Sequence, residues 1–197
     1  MTFVYYRHDW TRYTNCGSMC VMDNTWEAAQ AARIGKEVQR LRGRRTAAWL
    51  SSRAEELGLR LTRQTITDLE NGRRRYVTTA ELAVLAAALD TTPVALAYPG
   101  PYGDDETIEV LPGVQIPKQC AVQWFSGLFG AVTDMGDPDR FQQNTRQLRS
   151  AQAIWDLEER LRNVVIPTET GPRKDQALEL AEFLQRQIDE LKAASGA

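Results

Sequence analysis

The chain has 197 residues, and its 24 Lys and Arg against 26 Asp and Glu give a formal net charge of −2. No apolar run approaches the ~20 residues of a membrane-spanning helix, so we expect a globular protein without a membrane partner. The near-neutral total hides an uneven distribution. Residues 33–75 carry a net charge of +7, and residues 104–197 carry −6. This polarity favours a nucleic-acid surface beside a separate partner or solubilising surface.

Residues 1–24 differ from the rest of the chain. They are rich in aromatic residues without helical spacing, and they lack the basic start and apolar core of a secretory signal. We expect a disordered or non-native tail, and one version of that hypothesis starts translation at Met22. His8, Cys16 and Cys20 supply only three ligands for a zinc ion, so we expect no metal and no cofactor. Three cysteines without a secretory signal favour the cytoplasm.

Five short helices are predicted in residues 25–99. Apolar residues recur there at steps of three and four, threonines stand where helices begin, and glycines stand where several of them end. The predicted helices cover residues 25–43, 46–57, 62–71, 78–89 and 92–98. Residues 25–99 therefore form one compact helical domain in this interpretation.

The second half of the chain begins with a turn-rich acidic linker over residues 100–112, in which residues 107–110 are predicted as a short strand. Residues 113–197 are predicted to form a C-terminal helical domain. Its main feature is a pair of long helices, 139–165 and 173–194, joined by a Pro/Gly-rich breaker. We expect this pair to be antiparallel. It either packs against the aromatic residues Trp124, Phe125 and Trp155 or forms a homodimer interface. The predicted fold class is mostly α.

The segment Leu-Thr-Arg-Gln-Thr-Ile-Thr-Asp-Leu-Glu-Asn-Gly, residues 61–72, resembles the third helix of the Cro/cI family of helix-turn-helix proteins. Leu61, Ile66 and Leu69 stand at the core positions, Thr62 at the cap, and Leu-Glu-Asn-Gly matches the closing signature. The resemblance extends over residues 33–98 and implies a helix-turn-helix DNA-binding domain. It is nearest to regulators of actinobacteria and their phages, immunity repressors among them.

One departure from the family concerns length. The family has about fifteen residues between the cap of helix two and the isoleucine of helix three, whereas Thr46 to Ile66 spans twenty. The sequence therefore predicts either a longer second helix or a longer turn. The family's glutamine after the cap is Ala47 here, which leaves that position without a base or phosphate contact.

The resemblance implies that helix 62–71 enters the major groove and reads base edges. Arg63 suits guanine, Gln64 suits adenine, and Thr65 or Thr67 suits a thymine methyl group. Phosphate contacts are expected before helix two, from Arg44, Arg45 and the helix N-terminus, and just past helix 62–71, where Arg74 is expected to support binding to all sequences alike. Glu70 is expected to hold the turn. The predicted DNA-binding residues are Arg44, Arg45, Thr46, Thr62, Arg63, Gln64, Thr65, Thr67, Asn71, Arg73, Arg74 and Arg75.

A second segment, residues 140–149, combines three arginines with four amides and no acidic residue. Such side chains read base edges, so a monomer with two DNA-contacting elements is an alternative to a homodimer. A polar solvent-exposed face is the other interpretation of this segment. The residues concerned are Arg140, Gln143, Asn144, Arg146, Gln147 and Arg149.

The expected function is a sequence-specific regulator of transcription that binds a double-stranded DNA operator, most simply as a repressor. The alternative is an antitoxin-type autoregulator whose acidic C-terminal half binds a protein partner. An enzyme is disfavoured because the chain has no phosphate loop and its single histidine is His8.

Overall fold

A computed structural model describes residues 25–103, 105–128, 137–167 and 170–195. The predicted N-terminal tail, with its candidate start and its histidine and cysteines, lies outside the described residues. The described chain is mostly helical with one small antiparallel sheet, which confirms the predicted fold class. It divides into two compact units, Met1–Ser126 and Gly127–Ala197.

Five helices open the described part of the first unit, close to their predicted positions. They begin after threonines because a threonine oxygen can accept the free backbone N–H groups of a first turn, as Thr46, Thr62, Thr78 and Thr92 all do. Thr25 precedes the first helix without such a bond. The helices are α1 (Trp26–Arg42), α2 (Ala47–Glu56), α3 (Arg63–Glu70), α4 (Thr79–Ala88) and α5 (Pro93–Ala97).

One apolar core joins these helices. Leu50 of α2, Ile66 and Leu69 of α3, and Leu85 of α4 are each at most 1% exposed, and they pack in one cluster with Val38 of α1. Removing a buried leucine side chain from such a cluster typically costs about 2–5 kcal/mol of stability. The core therefore holds α3 by its apolar face and leaves its polar face outward.

A β-hairpin and a short helix complete the first unit. Strands β1 (Thr107–Leu111) and β2 (Val114–Pro117) pair antiparallel, and α6 (Lys118–Phe125) follows. The indole N–H of Trp26 donates to the Glu109 carbonyl oxygen at 3.4 Å, which ties β1 to α1. The segment predicted as a linker thus contains a packed strand. The division between units falls at residues 126 and 127, later than the predicted boundary.

The second unit contains two long helices, α7 (Pro138–Arg162) and α8 (Pro172–Ser195), which pack against each other. Leu184 and Ile188 are buried, and Lys192 Nζ donates to Glu158 Oε1 at 2.8 Å. Trp155 was a candidate for packing but is 62% exposed, so that expectation is wrong for this residue. No helix in the described ranges is both long and apolar enough to cross a bilayer.

Candidate nucleic-acid interface

Helices α2 and α3 are joined by six non-helical residues, 57–62. A helix-turn-helix turn has about three or four residues, so the extra length lies at least partly in this connection. Gly58 adopts a φ of 90°, and the N–H of Leu59 donates to the Ala54 carbonyl at 3.0 Å, which closes α2. Ser51 Oγ then donates to the Leu61 carbonyl at 2.5 Å and fixes the far end of the turn to α2.

An ion pair fastens α3 to the end of α1. Arg42 Nε and Nη2 donate to the two carboxylate oxygens of Glu70 at 2.7 and 2.8 Å, and the side chains are 14% and 6% exposed. Hydrogen bonding to Glu70 raises the pKa of Arg42. The structure confirms the prediction that Glu70 holds the turn.

The backbones of α1 and α3 approach each other closely at Gly35. A Cβ atom at this position would overlap the Leu69 carbonyl group, so only glycine allows this packing distance. Together with the Arg42–Glu70 pair, the close approach fixes the direction of α3.

The closing Glu-Asn-Gly signature ends α3 through two backbone bonds. Gly72, at a φ of 68°, donates its N–H to the Leu69 carbonyl at 3.0 Å, and Arg73 donates its N–H to the Asp68 carbonyl at 2.8 Å. This is the bonding pattern of a Schellman motif. It brings Arg73 back beside the last turn of α3, and Asn71 stands exposed at the cap.

The outward face of α3 begins with Arg63 and Gln64, which are both exposed. Thr65 Oγ1 lies 2.8 Å from Thr62 Oγ1, and Thr67 Oγ1 donates to the Arg63 carbonyl at 2.9 Å. Their hydroxyl groups are therefore engaged within the helix. Both residues are half-buried, and a threonine also carries a methyl group of the kind that contacts a thymine methyl.

The predicted phosphate-contacting arginines before α2 differ in their surroundings. Arg44 is exposed and makes no ion pair within the described residues. The Arg45 guanidinium lies 4.0 Å from the ring centroid of Trp49, and its nitrogens donate at 3.3 Å to the carbonyls of Leu41 and Arg42. Arg45 thus closes the end of α1, and Arg44 is the more available cation.

The three arginines after α3 also differ in their surroundings. Arg73 and Arg75 have side chains 69% and 70% exposed. Arg74 is 20% exposed, and its Nη1 and Nη2 donate to Glu81 at 2.8 and 3.2 Å. Arg74 is predicted to contact phosphate, but the structure holds its guanidinium on Glu81 of α4.

Glu81 shows how firmly Arg74 is held. Partial burial favours the neutral carboxyl, but hydrogen bonds from Arg74 and from the backbone of Thr78 outweigh it and lower the pKa of Glu81. Glu81 also completes a capping box with Thr78 at the start of α4. Arg74 therefore belongs to the scaffold rather than to the free basic surface.

Free backbone donors accompany these side chains. At the start of α2, the N–H groups of Ala47 and Ala48 have no acceptor among the described residues, whereas that of Trp49 is capped by Thr46. Free N–H groups at a helix start, together with the helix dipole, favour a phosphate. The backbone N–H of Ala47 is therefore available for the phosphate contact that the glutamine of the family would make with its side chain.

Arg60 was missed in the sequence interpretation. It lies in the connection before α3, is exposed and makes no ion pair within the described ranges. A single basic residue inside a turn was its only sequence signal.

The residues of the second predicted DNA contact are all exposed on α7. Arg146 Nη2 donates to the Ala194 carbonyl of α8 at 3.2 Å. Arg149 is nine residues after Arg140, so the two arginines lie on opposite sides of the helix. Four residues share one face at i, i+3, i+4 and i+7, namely Arg140, Gln143, Asn144 and Gln147. A second contact would therefore rest on one arginine and three amides.

Other chemistry is sparse in the described part of the chain. No group of His, Cys, Asp and Glu residues is arranged there to hold a metal ion. Cys120 is a half-buried thiol on α6, and burial raises its pKa, which disfavours the thiolate. No protein-family model, curated protein or solved structure matches the chain.

Proposed function

We propose that this protein is a sequence-specific double-stranded DNA-binding regulator of transcription that reads the major groove with α3. The observation that carries the proposal is that one face of α3 is buried in the core and the other is polar and exposed. Its inner face is locked by Ile66, Leu69 and Glu70, whereas Arg63 and Gln64 stand exposed at its first turn. A helix of this kind fits the major groove, and its first turn reaches base edges.

The surroundings of α3 supply phosphate contacts on both sides. Arg44 and the free N–H groups at the start of α2 lie before it in the chain, and Arg73 and Arg75 follow it. Such contacts fix the register of the protein on the duplex without reading sequence. The net charge of +7 over residues 33–75 supports the same orientation.

Repression is the simplest consequence of such binding, because occupying a promoter is enough to exclude polymerase. Phage immunity repressors, which the sequence resembles, are the most specific version of this proposal. The net charge of −6 over residues 104–197 opposes indiscriminate attraction to DNA and so favours binding at selected sites.

The operator is proposed to be either a two-fold site bound by a homodimer or an asymmetric site bound by a monomer that also uses α7. Sedimentation of the full chain with and without its selected duplex distinguishes these arrangements by mass. A monomer that protects more than one major-groove segment supports the α7 contact.

The antitoxin-type alternative draws on α8. Leu180 and Phe183 are 49% and 45% exposed, and the acidic residues Glu179 and Glu182 stand beside them. An apolar strip with acidic neighbours suits a basic protein partner. A partner that inhibits growth, co-purifies with this chain and is neutralised by it would favour this alternative.

The test of DNA reading is selection of duplexes from a random pool, followed by binding titrations of single variants. Arg63→Ala is expected to weaken the selected site by about 1–3 kcal/mol and to relax one base position. Arg186→Ala on α8 removes the same charge from an exposed helix surface and is the matched control. Unchanged affinity of Arg63→Ala for the selected site would show that α3 is not the reading helix.

A further inference from the structure

We infer that Asp68 is a positioning residue that orients the side-chain amide of Gln64 so that Gln64 reads adenine. This inference rests on the proposed function and names one base and the device that selects it. Gln64 makes the base contact in this arrangement, and its hydrogen bond to Asp68 increases the selectivity of that contact.

Polar contacts join the side chains of Gln64, Asp68 and Arg73 at α3. Gln64 Nε2 donates to Asp68 Oδ1 at 2.9 Å, one helical turn further on. Arg73 Nη1 lies 3.5 Å from the same carboxylate oxygen. The backbone bond from the Arg73 N–H to the Asp68 carbonyl, at 2.8 Å, keeps Arg73 beside this turn.

The chemistry of the carboxylate decides which end of the amide faces it. An ionised Asp68 only accepts hydrogen bonds, so the nitrogen of the Gln64 amide must point toward it. Nε2 carries two protons, and the bond to Asp68 uses one. The outward edge of Gln64 therefore presents one acceptor, Oε1, beside one remaining N–H donor.

That edge complements one base in the major groove. Adenine offers the N6 amino donor beside the N7 acceptor, which matches Oε1 and the free N–H of Gln64. Guanine offers two acceptors, N7 and O6, and would meet Oε1 with an unfavourable pairing. A glutamine without Asp68 could rotate its amide and turn its nitrogen toward guanine, so the fixed orientation adds discrimination.

Arg73 makes the carboxylate compatible with DNA. A carboxylate near phosphates is repelled, but a guanidinium 3.5 Å away offsets its charge locally. The Asp68 side chain is 29% exposed, whereas most of the Arg73 side chain, 69%, remains open to solvent. The same arginine is thus available to a phosphate on its outer side.

The test is a double-mutant cycle on the full chain with Gln64→Ala, Asp68→Ala and the double variant. Four duplexes that differ only at the base position affected by Gln64→Ala are titrated with each protein. The wild-type protein is expected to prefer adenine over the other bases by about fivefold or more, the lower range for a bidentate contact. Asp68→Ala is expected to reduce this preference to about twofold, and to have no further effect on it once Gln64 is alanine.

Glu56→Ala is the matched control, because it removes an exposed carboxylate that pairs with Arg53 on α2. It is expected to leave base preference unchanged. Unfolding midpoints of all variants exclude a general loss of structure.

Additive effects of the two substitutions on base preference would overturn the inference. So would an Asp68→Ala variant that keeps its adenine preference and relaxes a cytosine position, because Asp68 would then read a base directly. A wild-type protein that selects no sequence refutes the proposed function itself, an outcome that is distinct from both.

Discussion

Glu70→Ala removes the carboxylate that fastens α3 to the end of α1 and leaves the Arg42 guanidinium without its partner. Exposed ion pairs contribute about 0–1 kcal/mol, whereas removing one partner of a fully buried pair costs about 3–5 kcal/mol. The side chains here are 14% and 6% exposed, and the pair has two hydrogen bonds. We therefore expect an intermediate loss, about 2–3 kcal/mol in the free energy of unfolding.

Hydrogen exchange of the Ile66 amide measures this loss within α3, because that N–H bonds to the Thr62 carbonyl at 3.1 Å. A loss of 2–3 kcal/mol speeds exchange through unfolding by about 30- to 150-fold, since each 1.4 kcal/mol is tenfold. The double variant Arg42→Met with Glu70→Leu is the control, because two apolar side chains leave no unpaired charge.

The double variant is expected to exchange within about tenfold of the wild-type rate. If Glu70→Ala changed exchange by less than about threefold, the pair would behave as an exposed one, and its role in holding α3 would be refuted. A double variant that exchanged as fast as the single one would show instead that the loss does not come from an unpaired Arg42 charge.

Two further predictions concern the scaffold and the basic surface. Gly35→Ala is expected to lower the melting temperature, with a loss of about 1–3 kcal/mol, because its methyl group meets the Leu69 carbonyl; an unchanged melting curve would contradict the close packing of α1 and α3. Arg73→Ala is expected to lower DNA affinity and to reduce the slope of log affinity against log salt concentration by about one. Arg74→Ala is expected mainly to lower stability, because it loses its bonds to Glu81. Equal salt slopes for these two variants would show that Arg74 also contacts phosphate.

The sequence by itself determined the helices α1 to α5 to within one or two residues, whereas α6 was not predicted. Their signals are local. Apolar residues at steps of three and four define each buried face, threonines supply caps, and Gly43, Gly58 and Gly72 take the positive φ that ends a helix. The spacing of Ile66 and Leu69 likewise fixed which face of α3 is buried, and hence which side chains face outward.

The tertiary structure decided what depends on distant partners. Arg73, Arg74 and Arg75 are equivalent in the sequence, and only the position of Glu81 on α4 separates the scaffold arginine from its neighbours. Strand β2 has four residues and exists because β1 is there to pair with it, so its short pattern predicts nothing alone. The tertiary structure also places β1 in the first unit, which ends at Ser126, because β1 is bonded to α1.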